Sequence, residues 1–183
     1  MILRPRDIPN LITIGRALLV VPTAWALVEH QYSLALILFL VAGISDGLDG
    51  LLAKQFDWHS RLGGILDPLA DKALLIACYA ALSWTGLLPV WLFVLVVLRD
   101  VVIVAGAVVY HFRVARLDAE PTLVSKLNTL MQIVLVFAVI VQQASGWGQR
   151  EWLDPLIWLV TATTLWSGID YVLTWSRRAR ATR

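Results

Sequence analysis

Four aspartates fall in two close pairs within one short, otherwise apolar window of the chain. Asp46 and Asp49 are three residues apart, and Asp67 and Asp71 are four apart. On an α-helix, both spacings place the two carboxylates on the same face. Four carboxylates at one depth in an apolar environment repel one another strongly unless positive charge lies among them. Divalent cations that prefer oxygen ligands, Mg²⁺ or Mn²⁺, supply such charge, so the pattern predicts a metal site.

The elements that must position these aspartates are long apolar segments. The chain has 183 residues, of which 59% are hydrophobic and only 15% charged, and its mean hydropathy is +0.75. Soluble domains carry about 25% charged residues, and a membrane-spanning helix needs about 20 apolar residues. Blocks of that length lie near Pro9–Val28, Ser33–Ala53, Leu62–Trp84, Pro89–Phe112, Leu123–Gln143 and Pro155–Trp175. We therefore predict an all-α polytopic membrane protein, a single domain over residues 1–183 with six transmembrane helices.

Basic residues are distributed unevenly between the connections of these blocks. If the N-terminus is cytoplasmic, most of the 15 Lys and Arg residues lie in cytoplasmic segments, and the opposite side holds only Arg150. The positive-inside rule then places both termini and the aspartates toward the cytoplasm, with residues 1–8 as an interfacial segment and 177–183 as a basic tail. The pI near 8.9 reflects this bias and is no argument for nucleic acid. A short chain without a targeting segment suggests a bacterial inner membrane.

The aspartates belong to a longer motif. Its order is Asp46-x-x-Asp49-Gly50-x-x-Ala53-Lys54, eight residues, Gly63, three residues, Asp67, three residues and Asp71. This motif resembles the signature of the CDP-alcohol phosphatidyltransferases, in which arginine stands where this chain has Lys54. The runs IPNLIT, DPLADK and SKLNTLMQ resemble the branch of that family that contains cardiolipin synthases of the eukaryotic type and phosphatidylglycerophosphate synthases.

The resemblance implies an enzyme of phospholipid biosynthesis. Such an enzyme transfers a phosphatidyl group from CDP-diacylglycerol to an alcohol acceptor, releases CMP and uses two divalent cations, Mg²⁺ or Mn²⁺. A homodimer embedded in membrane lipid is also implied. By the same resemblance, Asp71 would be the general base, and the metal ligands would be Asp46, Asp49, Asp67 and Asp71. The expected contacts to CDP-diacylglycerol are Asp49, Gly50, Ala53, Lys54, Gly63 and Arg16.

Charged residues elsewhere in the apolar blocks have two interpretations each. Arg16 either snorkels to the membrane surface or contacts a lipid phosphate. Arg99 either pairs with Asp100 or holds the phosphate of the acceptor, and Lys126 either snorkels or contacts that phosphate. We predict that Arg99, Lys126 and Asn128 contact the acceptor.

The resemblance also indicates which alcohol is the acceptor. Arg-Asp in the fourth block and Ser-Lys-x-Asn-Thr in the fifth resemble cardiolipin synthases, whereas phosphatidylglycerophosphate synthases tend to have a second lysine where this chain has Asn128. Losing that cation suits phosphatidylglycerol, because its phosphodiester carries one charge and the monoester of glycerol-3-phosphate up to two. Phosphatidylglycerol is the preferred acceptor and glycerol-3-phosphate the main alternative, with inositol, serine or choline as further alternatives. A membrane prenyltransferase and a cation transporter that uses the four aspartates are the alternatives from other classes.

Overall fold

The computed structural model describes residues 8–56, 63–113, 122–146 and 150–181, with side-chain surroundings for 11–48, 69–106, 122–146 and 151–174. The helices are α1 (Ile8–Val28), α2 (Tyr32–Phe56), α3 (Gly63–Trp84), α4 (Val90–Arg113), α5 (Leu123–Ser145) and α6 (Asp154–Ala181), with a 3₁₀ turn over Arg150–Trp152. Each apolar block of the sequence corresponds to one helix, and the described residues contain no strand. The prediction of an all-α fold is confirmed.

Three stretches of these helices are long and apolar enough to cross a membrane by length and composition. They are Leu11–Val28, Leu123–Ser145 and Asp154–Thr174, whereas the apolar stretch Tyr32–Leu48 is shorter. Large apolar side chains such as Leu18 on α1 are exposed, which suits contact with lipid rather than water. The helices therefore have the character of a membrane protein, while the full set of six membrane spans stays a prediction.

One compact unit of the chain consists of α1, α2, α3 and residues 136–147. Helix α1 packs against both α2 and α3. Its buried positions include Thr13, Arg16, Thr23 and Ala26, whose spacing is that of a single helical face. Small buried residues let membrane helices approach closely. Since α1 contacts both aspartate-bearing helices, it can place a side chain against each of them.

The second unit consists of residues 89–135 and 148–183, and so contains α4, α6 and the first part of α5. Helix α4 packs against α6. Trp91 and Trp158 lie with their ring centroids 5.8 Å apart. Further along α4, the Tyr171 hydroxyl donates a hydrogen bond of 2.9 Å to the carbonyl oxygen of Ile103. These two contacts join α4 and α6 at different points along the helices. Arg99 and Asp100 lie on α4 between those two points.

Candidate active site

Arg16 contacts one carboxylate from each aspartate-bearing helix. Its Nη1 donates hydrogen bonds to Oδ1 of Asp46 on α2 and to Oδ1 of Asp71 on α3, the second at 2.5 Å. The arginine side chain is 1% exposed, whereas the side chains of Asp46 and Asp71 are 47% and 43% exposed. The structure therefore brings together three predicted site residues, of which Asp46 and Asp71 are 25 positions apart in the sequence.

The charge of this cluster remains negative. One guanidinium lies between two carboxylates, so Arg16, Asp46 and Asp71 together carry one net negative charge when all are ionised. Because both carboxylates are nearly half exposed, a ligand can reach them while Arg16 holds them in place. Exposed carboxylate oxygens with excess negative charge are the donor set that Mg²⁺ and Mn²⁺ prefer. The two aspartates therefore fit the predicted metal site in donor type and charge.

Asp46 and Asp71 are two of the four predicted metal ligands. Among the side chains that the structure describes, no group of three or more His, Cys, Asp or Glu residues is placed to hold a metal ion. The other predicted contacts in this region have their backbones in α2 and α3, but their side chains lie outside the described ones: Asp49, Gly50, Ala53, Lys54, Gly63 and Asp67. Their roles stay predictions.

Arg16 is placed differently from a snorkelling anchor. A snorkelling side chain keeps its charged end in water, but the Arg16 side chain is buried and its guanidinium contacts two carboxylates. This contact was not predicted from the sequence. The available signal was depth, because Arg16, Asp46 and Asp71 all lie in the inner part of their apolar blocks. An arginine within an apolar block, at the same depth as two aspartates of neighbouring blocks, is typical of an ion-paired cluster.

The glycine that follows Asp46 is next to open space. Among the described residues, a Cβ added at Gly47 would meet no heavy atom within 4 Å, and the same is true at Gly43 one turn earlier. Close helix packing therefore does not require glycine at these two positions. Open space beside the carboxylate is consistent with the predicted close approach of a ligand to this part of α2.

A second polar cluster lies inside the other unit and is centred on Arg99 of α4. Its Nη1 donates to Oδ1 of Asp100 at 2.7 Å. Its Nη2 donates to Oγ of Ser125 on α5 at 2.7 Å and to Oγ of Ser167 on α6 at 2.5 Å. Arg99 and Asp100 are both buried. The ion pair that the sequence suggested is thus present. Arg99 also links its own helix α4 to α5 and α6 by hydrogen bonds.

Asn128 and Lys126 were predicted beside Arg99 as acceptor contacts, but only Asn128 is buried. Its Oδ1 accepts hydrogen bonds from the hydroxyls of Thr163 at 3.0 Å and Thr164 at 2.9 Å. Its Nδ2 has no hydrogen-bond partner among the described residues. Lys126 is exposed. The structure therefore places Arg99 and Asn128 inside the unit and Lys126 on its outside.

Gln132 is a buried polar residue that was not among the predicted site residues. It is 1% exposed, and neither of its amide atoms has a partner among the described residues. Its position four residues after Asn128 puts the two side chains on one face of α5. That spacing of two amides within an apolar helix was the available signal.

Comparison with known proteins decides which family this arrangement belongs to. The sequence profile of the CDP-alcohol phosphatidyltransferases matches residues 6–166. The chain belongs to the CDP-alcohol phosphatidyltransferase family. The match covers the Arg16, Asp46, Asp71 and Arg99 positions, and it confirms the resemblance found in the aspartate motif.

Relatives within the family include proteins named for both candidate acceptors. The human cardiolipin synthase (CMP-forming) is 32% identical over 91% of this chain and 61% of its own length. A rice protein, CDP-diacylglycerol–glycerol-3-phosphate 3-phosphatidyltransferase 1, chloroplastic, is 34% identical over 90% of this chain and 56% of its own. The cardiolipin synthase (CMP-forming) of Streptomyces coelicolor is 26% identical over 97% of this chain and 86% of its own. The chain thus spans about three fifths of the length of the human and rice relatives.

Proposed function

We propose that this protein transfers a phosphatidyl group from CDP-diacylglycerol to an alcohol acceptor and releases CMP. The observation that carries the proposal is the contact of Arg16 with Asp46 and Asp71 in a chain of the CDP-alcohol phosphatidyltransferase family. Proteins named for this reaction are among its relatives. Asp46 and Asp71 are the first and last aspartates of the motif that resembles the family signature.

Direct attack by the acceptor is the simplest course of the reaction. The hydroxyl oxygen of the acceptor forms a bond to the lipid-side phosphorus of CDP-diacylglycerol, and the bond from that phosphorus to the CMP oxygen breaks. Asp71 takes the proton of the attacking hydroxyl. Its carboxylate is 43% exposed, so the acceptor can reach it, and Arg16 fixes its orientation. CMP leaves with the electron pair of the broken bond.

Divalent cations complete the proposed site. When bound, Mg²⁺ or Mn²⁺ neutralises the diphosphate and stabilises the entering and leaving oxygens. Asp46, Asp49, Asp67 and Asp71 would hold two such ions. Arg16 would orient two of these four carboxylates, as a neighbour that bonds to metal ligands usually does. Gly50, Ala53, Lys54 and Gly63 would contact the nucleotide and diphosphate of CDP-diacylglycerol.

Phosphatidylglycerol is the acceptor that we favour, which would make the protein a cardiolipin synthase. Arg99 is the one buried cation among the described residues of its unit. Asp100 balances part of its charge and Nε has no partner among those residues, so a phosphate with one charge suits it better than a phosphate with two. At the position where a second lysine would favour a monoester, Asn128 accepts two threonine hydroxyls, which a lysine cannot do. Glycerol-3-phosphate is the alternative acceptor, supported by the name of the rice relative.

The placement of the protein is part of the proposal. The six helices would all span the membrane, with both termini and the aspartates on the cytoplasmic side of a bacterial inner membrane and with the protein as a homodimer. A single domain over residues 1–183 is supported by α5, because this one continuous helix contributes residues to both compact units.

The deciding experiment is acceptor-dependent CMP release by the purified protein in lipid. CDP-diacylglycerol and Mg²⁺ or Mn²⁺ are supplied with phosphatidylglycerol in one reaction and glycerol-3-phosphate in the other, and the lipid product is identified. CMP with cardiolipin supports the favoured acceptor, whereas CMP with phosphatidylglycerophosphate establishes the alternative. No CMP with either acceptor contradicts the proposal. Pyrophosphate release would indicate a prenyltransferase, and ion flux without lipid turnover would indicate a transporter.

A further inference from the structure

The interior of the second unit holds polar atoms that the described residues do not satisfy. Nε of Arg99, Nδ2 of Asn128, and both Nε2 and Oε1 of Gln132 have no hydrogen-bond partner there. All three residues are more than nine-tenths buried. Unsatisfied buried polar groups cost folding free energy, and in an apolar environment few other partners are available. The unpaired groups comprise three donors and one acceptor.

These groups lie along one line of the unit. Ser125, Asn128 and Gln132 share a face of α5, because they are separated by three and four residues. Ser125 accepts a hydrogen bond from Arg99, so the guanidinium lies at the beginning of this face. At 1.5 Å per residue, Gln132 is about 10 Å further along the helix axis.

The unpaired donors are held in place by their neighbours. The Arg99 guanidinium is fixed by Asp100, Ser125 and Ser167, and of its three nitrogens only Nε has no partner among the described residues. The Asn128 amide is fixed by two threonine hydroxyls on its oxygen. Because reorientation would break these bonds, neither group can turn toward another partner. The arrangement is therefore prepared for a ligand rich in hydrogen-bond acceptors.

The chemistry of the groups indicates a glycerol phosphate. A guanidinium donor next to buried amides matches a phosphate next to neutral hydroxyls. A carboxamide offers both a donor and an acceptor, as a hydroxyl does, so the free amide of Gln132 can bind a hydroxyl in both directions. A second charged group at Gln132 is not favoured, because the amide is neutral and buried.

We propose that Gln132 is a specificity-determining residue that binds the secondary hydroxyl of the acceptor's glycerol, with Nδ2 of Asn128 beside it and the phosphate at Arg99. This rests on the proposed transferase function. The glycerol phosphate could be the headgroup of phosphatidylglycerol or free glycerol-3-phosphate, since both carry a primary hydroxyl that attacks and a secondary hydroxyl that does not.

The test compares each acceptor with an analogue that lacks only the secondary hydroxyl. Phosphatidyl-1,3-propanediol replaces phosphatidylglycerol, and 3-hydroxypropyl phosphate replaces glycerol-3-phosphate. In the wild-type protein, kcat/KM is expected to fall roughly tenfold with the analogue, because buried amide atoms lose their partner. The member of the two pairs that is turned over identifies the source of the glycerol phosphate.

The variant Gln132→Leu separates recognition from a general defect. It is expected to lower kcat/KM roughly tenfold for the glycerol acceptor and to leave the analogue unchanged, so that the discrimination disappears. Gln143→Leu, on the same helix, is the matched control and is expected to keep the discrimination. Equal losses with both acceptors, or no loss, would overturn the inference.

If Gln132→Leu does not fold, the comparison of each acceptor with its analogue in the wild-type protein still tests the role of Gln132. Equal kcat/KM for the glycerol acceptor and its analogue overturns the role of Gln132 and leaves the transferase function standing. Absence of CMP release with every acceptor overturns both.

Discussion

Asp46 and Asp71 accept hydrogen bonds from the same nitrogen atom, Nη1 of Arg16, although they lie on different helices. The shared donor fixes the relative position of two carboxylates that would otherwise repel each other. Helix α1 thereby contributes to a site whose predicted metal ligands all lie on α2 and α3. The buried Arg16 side chain orients the carboxylate oxygens. The two aspartate side chains are nearly half exposed, so a ligand can reach them.

Replacing Arg16 tests whether it positions the aspartates. Arg16→Lys keeps the charge, but the lysine side chain is one bond shorter, so its ammonium cannot take the position of Nη1 between the two carboxylates. We expect kcat/KM to fall roughly 10- to 100-fold and the Mg²⁺ concentration for half-maximal activity to rise, the effect typical of losing a group that orients metal ligands. CMP release measured in a Mg²⁺ titration is the assay.

The control for this variant lies beside Asp46. Ser45→Ala removes a hydroxyl that donates to the carbonyl oxygen of Val41 on its own helix at 2.6 Å, and no change in the Mg²⁺ dependence is expected. If Arg16→Lys shows the Mg²⁺ dependence of the wild-type protein, then Arg16 does not position the metal ligands.

Asp71→Asn tests the proposed general base. The amide has the size of the carboxylate but cannot take the proton of the acceptor hydroxyl. We expect turnover to be abolished while binding of CDP-diacylglycerol is partly retained, and both are measured on the same preparation of protein. Asp46→Asn is the comparison, since it removes a proposed metal ligand and not the base. Turnover close to that of the wild-type protein in Asp71→Asn would show that the assignment of the base is wrong.

The sequence predicted the helices correctly because they depend on local patterns, and the roles proposed for the aspartates rest on local spacings as well. Apolar blocks of about 20 residues predict helices at any position in a membrane chain. The spacings of Asp46 with Asp49 and of Asp67 with Asp71 predict shared faces without reference to a third helix. The family resemblance then supplied the reaction class, which the profile match over residues 6–166 supports.

The contacts of Arg16, Arg99 and Asn128 could not be predicted in the same way. Each joins residues that are far apart in the sequence, such as Asn128 with Thr163 and Thr164. Periodicity gives the face of one helix, but which helix lies opposite depends on packing of the whole unit. Both interpretations of Arg99 could therefore be written from the sequence, and only the structure showed the bonds to Asp100, Ser125 and Ser167.

Gly106→Ala tests the packing of α4 against α6. An added Cβ would lie 3.1 Å from Cε1 of Tyr171, and the hydrogen bond from that tyrosine to Ile103 limits how far the ring can move. Alanine favours a helix by about 1 kcal/mol over glycine, but overpacking costs about 1–3 kcal/mol. We expect the free energy of unfolding in detergent to fall by about 1 kcal/mol, measured by denaturant titration.

Two further variants separate overpacking from a general effect of alanine. Gly43→Ala adds a methyl group where no heavy atom lies within 4 Å, so stability is expected to stay the same or rise. Adding Tyr171→Leu to Gly106→Ala removes the ring, and we expect the penalty of the added methyl group to disappear in this background. A Gly106→Ala protein as stable as the wild type would contradict the close contact.

Asn128→Lys tests how the acceptor is chosen. It introduces a cation into the unit that contains Arg99, and a second buried positive charge interacts more strongly with a monoester of up to two negative charges than with a diester of one. We expect the ratio of kcat/KM for glycerol-3-phosphate to that for phosphatidylglycerol to rise at least roughly tenfold, although absolute rates fall because Thr163 and Thr164 lose their acceptor. Asn128→Leu removes the same acceptor without adding charge, so it is expected to lower both values and leave their ratio unchanged. A ratio that changes equally in both variants would mean that charge at this position does not select the acceptor.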